Sequence, residues 1–149
     1  MTLYLPAPIK LEIEAHLQAA YPNEGAGLLL GRAAGTDKSV ETIVAFENKF
    51  DAEEQHHRYL ITAQDMLQGE ITAAERDLDV VGIFHSHPDH PAIPSEYDRE
   101  HALPWYAYLI VSVVHGDPAD ARAWQLADDR SHFDEESLNN TPDTGSTGR

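Results

Sequence analysis

Two histidines and an aspartate stand at a spacing that could hold a metal ion. His85 and His87 follow the apolar residues 80–84, a run typical of a central strand. Two positions apart on a strand, their side chains leave the same face about 6 to 7 Å apart and can converge on one ion. Asp98, after a proline-rich loop, can add a carboxylate. Two histidines and one carboxylate leave a fourth position for water, as in catalytic zinc sites.

Each part of this pattern has a structural explanation when it is taken alone. Ser95 and Asp98 stand three positions apart at the start of a predicted helix and resemble a capping box. A His-x-His pair at a strand end is more often structural or incidental than metal-binding. The conjunction of the two pairs, at a spacing that capping does not predict, favours a metal site.

Hydrophobic and turn patterns predict an α/β (α+β) scaffold that positions these residues. Helices are predicted over residues 8–20, 63–78 and, as a short third helix, 95–103. Strands are predicted over residues 25–31, 39–46, 80–84, 106–114 and 121–127. The sequence therefore predicts one mixed sheet flanked by two main helices, in a single domain over residues 1–134. The polar, breaker-rich residues 135–149 are predicted to form a disordered tail.

The composition excludes several classes of function. The chain has no cysteine, which rules out a thiol nucleophile and a cysteine-ligated metal. Ten basic and 26 acidic residues give a formal charge of −16, which argues against a nucleic-acid partner. This excess suits either a salt-rich environment or a basic partner, and the sequence leaves that choice and the oligomeric state open.

No segment of the sequence predicts a membrane partner. The longest uncharged apolar stretch, residues 103–114, is interrupted by Pro104 and is too short to cross a bilayer. The first residues lack the basic start and long apolar region of a signal peptide. A cytoplasmic location is therefore the expectation.

Residues 85–98 resemble a known sequence signature. His-Ser-His, seven residues, Ser, two residues and Asp resembles the JAMM motif of the MPN (Mov34/PAD1) metallopeptidases. His85, Ser86, His87, Ser95 and Asp98 match it without departure. The resemblance implies zinc bound by His85, His87 and Asp98, and a cytidine-deaminase-like MPN fold.

The resemblance extends upstream and covers roughly residues 11–127. Glu24 precedes the glycine-rich residues 25–31 and stands where the family places a glutamate. The resemblance implies that Glu24 is the general base and that the Ser95 hydroxyl donates to the developing oxyanion. Ser86 lies between the ligands and is expected to point to the opposite face, in a packing or hydrogen-bonding role.

The family also implies a substrate. Members that this chain resembles cleave the bond after the C-terminal glycines of ubiquitin or ubiquitin-like proteins, and small prokaryotic members act on sulfur-carrier proteins. The sequence is therefore interpreted as a zinc-dependent isopeptidase, with the particular carrier left open. A zinc amidase acting on a small molecule and a non-catalytic MPN interaction module are the alternatives, and the intact ligand set argues against the second.

Overall fold

The computed structural model describes residues 1–56 and 58–140. In these ranges the strands are β1 (Thr2–Tyr4), β2 (Ala26–Ala34), β3 (Asp37–Phe46), β4 (Asp79–Pro88), β5 (Ala107–Val114), β6 (Asp117–Leu126) and β7 (Phe133–Asn139). The helices are α1 (Ala7–Ala20), α2 (Ala63–Glu75) and α3 (Glu96–His101), with a 3₁₀ helix over Ala52–Glu54. The mixed sheet and three helices agree with the predicted α/β class.

The sheet closes into a barrel, which corrects the prediction of a sheet simply flanked by helices. The strand order is β1-β3-β2-β4-β5-β6-β7, and β1 pairs in parallel with both β3 and β7. Leu3 is opposite Lys38 on one side and Leu138 on the other. The closing strand β1 has three residues, too few for a period-two pattern to reveal it in the sequence.

The predicted tail boundary is also wrong, because residues 135–139 belong to β7. Phe133 and Leu138 are partly buried against the core, but they stand five positions apart and give no strand periodicity. The strand forms because β6 and β1 supply hydrogen-bonding partners on its two sides. The ordered domain therefore extends past residue 134. Residues 141–149 of the predicted tail lie outside the described part of the chain.

Helices α1 and α2 cover the core from different sides. Ile13 and Leu17 of α1 pack in one cluster with Phe84, and Ala73 of α2 packs in a second cluster with Val80. Strand β4 contributes to both clusters and is buried from its second residue to its last. This explains why its sequence is a continuous apolar run, and why the polar side chains at its end are also buried.

Gly31 marks a close approach between β2 and β3 and gives a stability prediction. A Cβ at Gly31 would lie 1.7 Å from the Ser39 carbonyl oxygen. Because backbone must then move, Gly31→Ala is expected to lower the free energy of unfolding by about 3 kcal/mol, measured by urea denaturation. Gly35→Ala is the control: its φ is +64° but nothing lies within 4 Å, so a loss of about 1 kcal/mol is expected. Equal losses would contradict the clash.

Within the described ranges, no helix is both long enough and apolar enough to cross a membrane.

Candidate metal centre

Strand β4 brings the two histidines together inside the protein. The strand runs on to Pro88, so His85 and His87 lie within it rather than just beyond its end. Their side chains share a face, as predicted, and their Nε2 atoms are 3.3 Å apart. The two residues are only 1% and 7% exposed. Buried imidazoles that point their nitrogens at each other need a shared partner, and a cation would supply one.

Helix α3 adds the carboxylate. Asp98 Oδ2 lies 3.1 Å from His87 Nε2, and Asp98 Oδ1 lies 3.5 Å from His85 Nε2. The capping box is also present: Ser95 N–H donates to Asp98 Oδ2 and Asp98 N–H donates to Ser95 Oγ. The structural and metal-binding interpretations are therefore compatible, because the cap is what fixes the direction of the Asp98 carboxylate.

The separations of these donor atoms fit a common ion. One ligand atom from each of His85, His87 and Asp98 lies within 4.8 Å of the other two. A tetrahedral ion with bonds of about 2.0 to 2.1 Å holds its ligand atoms about 3.3 Å apart. The two Nε2 atoms are 3.3 Å apart, which matches that value, and each lies 3.1 to 3.5 Å from a different oxygen of the Asp98 carboxylate. No other such group is found in residues 1–56 and 58–140.

The protonation states of His85 and Asp98 also suit a metal. In the metal-free chain, burial of His87 is outweighed by its contact with Asp98, which raises the pKa of His87, so His87 would lose a proton when an ion binds. Burial lowers the pKa of His85, which favours the neutral imidazole. Burial alone would raise the pKa of the Asp98 carboxyl, but contacts with His85 and His87 and the Ser95 N–H hold it well below its usual range. His87 Nδ1 lies 2.8 Å from the Pro91 carbonyl oxygen, to which its N–H can donate while Nε2 faces the other donors. Neutral imidazole and ionised carboxylate are the forms that coordinate metal.

Glu24 lies beside His85, His87 and Asp98. The hydrogen bonds of the next residue, Gly25, hold it against β4. Gly25 N–H donates to Ser86 Oγ at 2.9 Å, and Ser86 N–H donates to the Gly25 carbonyl at 3.1 Å. Glu24 is 5% exposed, and its Oε1 has no hydrogen-bond partner within the described ranges. Burial raises the pKa of Glu24 to about 8, with an opposing effect from His87 and a smaller reinforcing one from Asp98. A buried, unpaired carboxylate within reach of these charges is available to handle a proton.

Ser86 has the hydrogen-bonding role predicted for it, which gives a second stability prediction. Its side chain is fully buried and accepts from Gly25 N–H. Ser86→Ala leaves that donor unsatisfied, so the free energy of unfolding is expected to fall by about 1 to 3 kcal/mol in a urea titration. Ser137→Ala, at an exposed position in β7, is the control and is expected to change it by less than about 0.5 kcal/mol. Similar losses would show that Ser86 does not hold the Glu24 segment.

Ser95 caps the start of α3, three residues before Asp98. The residue is exposed, and its Oγ accepts from Asp98 N–H. Within the described chain its hydroxyl hydrogen has no acceptor, so it remains able to donate to a bound molecule. A recess of about 250 Å³, lined mainly by apolar side chains, borders Asp98.

The sequence assigned no role at the site to two residues near the group, although the resemblance to the family's pattern includes Asn48 after a strand. Tyr59 stacks on His85, with ring centroids 4.5 Å apart and an interplanar angle of 24°. Asn48 hydrogen-bonds to the backbone of Glu24 and to the segment that carries Tyr59. Both lie in the irregular stretch between β3 and α2, where no periodicity marks a side chain as buried or exposed.

A family described as prokaryotic homologs of the JAB domain matches residues 6–127. The chain belongs to this family. The resemblance to the JAMM/MPN metallopeptidases is thereby confirmed.

Two named relatives of this JAB-family chain can be compared with it. It is 33% identical over 111 residues to the "Probable TtuB-protein conjugate cleaving protease" of Thermus thermophilus, covering 74% of this chain and 70% of that protein. It is 34% identical over 65 residues to the "Desampylase" of Pyrococcus furiosus, covering 44% of each. The first match spans most of the JAB domain.

Solved structures show the same fold. A solution structure of a Salinibacter ruber protein has a TM-score of 0.74 and 40% identity, covering 99% of this JAB-family chain and 95% of that one. A solution structure of a Desulfitobacterium hafniense protein has a TM-score of 0.80 and 27% identity, covering 99% and 100%. The described residues therefore share their overall fold with both of these solved structures.

Proposed function

We propose that this JAB-family chain is a zinc-dependent isopeptidase that hydrolyses the bond after the C-terminal glycines of a ubiquitin-like or sulfur-carrier protein. The observation that carries the proposal is the convergence of His85, His87 and Asp98 at 3.1 to 3.5 Å, beside the buried carboxyl group of Glu24, whose Oε1 has no hydrogen-bond partner in the described chain. The names of the two relatives, a conjugate-cleaving protease and a desampylase, support the substrate class.

Zinc is the ion that this donor set favours. Two imidazole nitrogens and one carboxylate oxygen form a borderline set that suits zinc better than calcium or magnesium, which prefer oxygen alone. The separations agree with tetrahedral bonding. When bound there, zinc supplies a Lewis acid that acidifies water and polarises the scissile carbonyl.

The chain's own residues perform the proton transfers. The Glu24 carboxylate takes a proton from the attacking water as the new C–O bond forms. Glu24 then passes that proton to the leaving nitrogen as the C–N bond breaks, which gives an amine and a carboxylic acid that ionises in water. The Ser95 hydroxyl donates to the oxygen that becomes negative between these steps. Burial around Glu24 excludes competing water and strengthens these interactions.

The experiment combines metal analysis with a cleavage assay. Purified protein is expected to hold about one zinc per chain by elemental analysis. A ubiquitin-like protein fused through its Gly-Gly end to a reporter is expected to be cut after the second glycine, as read by mass spectrometry. The matched substrate ends in Ala-Ala and is expected to resist. Zinc binding without cleavage of any such fusion would favour a small-molecule amidase, and absence of metal would favour a non-catalytic module.

A further inference from the structure

The two histidines of the metal centre are supported in different ways. His87 Nδ1 lies 2.8 Å from the Pro91 carbonyl, a contact that fixes its ring. His85 Nδ1 is buried and has no hydrogen-bond partner in residues 1–56 and 58–140. The ring of Tyr59 instead stacks on the face of His85, with centroids 4.5 Å apart. The orientation of the His85 ring therefore depends on packing by Tyr59 rather than on a hydrogen bond.

Asn48 fixes the backbone on both sides of Tyr59. Its Nδ2 donates to the carbonyl of Arg58 at 2.9 Å, and its Oδ1 accepts from the N–H of Leu60 at 3.2 Å. Tyr59 lies between these two residues in a stretch without regular secondary structure. Two backbone hydrogen bonds also reach these flanks, from Arg58 N–H to the Glu54 carbonyl at 3.0 Å and from Lys49 N–H to the Leu60 carbonyl at 3.4 Å. Among the side chains of the described residues, only that of Asn48 bonds to both flanks.

The same amide also holds the segment of Glu24. Asn48 Nδ2 donates to the Glu24 carbonyl at 2.9 Å, and Asn48 Oδ1 accepts from Phe50 N–H at 2.9 Å. The two donors and two acceptor positions of the amide are then all used. Reversing the oxygen and nitrogen would turn all four contacts into mismatches, so the orientation of the amide is determined by its partners.

We propose that Asn48 is a positioning residue that joins the two sides of the site. Through Tyr59 it orients His85 toward the ion, and through the Glu24 carbonyl it sets the position of the general base. The inference rests on the proposed metal site, but it concerns how the chain builds that site rather than which substrate is cut.

Zinc affinity, measured by competition with a chromophoric chelator, tests this role without substrate. Asn48→Asp keeps the shape and the acceptors but loses both donors, and it is expected to weaken zinc binding about 10- to 100-fold. Tyr59→Leu is expected to weaken it similarly, whereas Tyr59→Phe keeps the stacking ring and is expected to bind as the wild type does. Asn139→Asp is the matched control. It makes the same substitution at an exposed position of β7, away from Tyr59 and Glu24.

The double variant Asn48→Asp/Tyr59→Leu tests whether the two residues affect zinc affinity through the same His85 ring or independently of each other. Its loss is expected to be no larger than that of the weaker-binding single variant, because both changes release the same His85 ring. Fully multiplied losses, wild-type affinity in Asn48→Asp, or an equal loss in Asn139→Asp would overturn the inference. Thermal melts of the metal-free variants check that each one folds.

Failure of this inference is distinguishable from failure of the proposed function. Zinc binding with no cleavage of ubiquitin-like fusions removes the substrate assignment, yet the affinity series still measures the role of Asn48. A wild-type chain that binds no zinc removes the metal centre and this inference together.

Discussion

Replacing Glu24 by glutamine is expected to slow cleavage of a ubiquitin-like fusion by about 10²- to 10⁴-fold while zinc stays bound. Glutamine has nearly the same shape, but its amide cannot accept a proton from water. Glu24 is also not one of the three converging donors, so the affinity for zinc is expected to change little. The measurements are kcat/KM on the Gly-Gly fusion and zinc content of the same preparation.

Glu47 provides the control for the Glu24 substitution. Glu47 is exposed, and Glu47→Gln makes the same chemical change without touching the site, so its rate is expected to match the wild type. Full activity in Glu24→Gln would remove Glu24 from the mechanism. Loss of zinc from that variant would instead give Glu24 a part in binding the ion.

The dependence of the rate on pH follows from the burial of Glu24. In the metal-free chain burial raises its pKa to about 8, and a nearby dication lowers it again. A general base acts only when ionised, so the rate is expected to rise as the pH rises through this pKa. The apparent pKa of the acidic limb is expected below 8, and the limb should be absent from the residual rate of Glu24→Gln.

The candidate site was predictable where its residues follow regular elements. The apolar run before His85 identified β4, and the period of two placed both histidines on one face. The capping pattern of Ser95 and Asp98 located the start of α3. These signals are local in the sequence, so they can be recognised without knowing how the sheet closes into a barrel.

The remaining features depend on contacts between distant residues. Strands β1 and β7 exist because the two ends of the described chain pair with each other. β1 is too short for its alternation to be recognised, and β7 does not alternate regularly. Tyr59 and Asn48 lie in an irregular stretch, where the Asn48 amide bonds to the backbone on both sides of Tyr59. The sequence predicted which residues could bind the metal, but not which residues hold them in place.

Asp98→Asn is expected to lower zinc affinity by at least about 100-fold and to reduce cleavage in proportion. The neutral amide is a weak zinc ligand, and it no longer offsets the charge of the ion. Its oxygen can still accept from Ser95 N–H, so the cap of α3 and the fold are expected to remain. The measurements are chelator competition and the rise in Tm when zinc is added, which should vanish in the variant.

The chain contains a closely matched control for this change. Asp65 occupies the same position in the capping box of α2, where it accepts from Thr62 N–H, and it lies outside the converging group. Asp65→Asn therefore makes the same substitution at an equivalent helix start, and its zinc affinity is expected to equal that of the wild type. If both variants lost zinc alike, the effect would arise from weakened helix caps. A loss confined to Asp98→Asn is the result that coordination by its carboxylate requires.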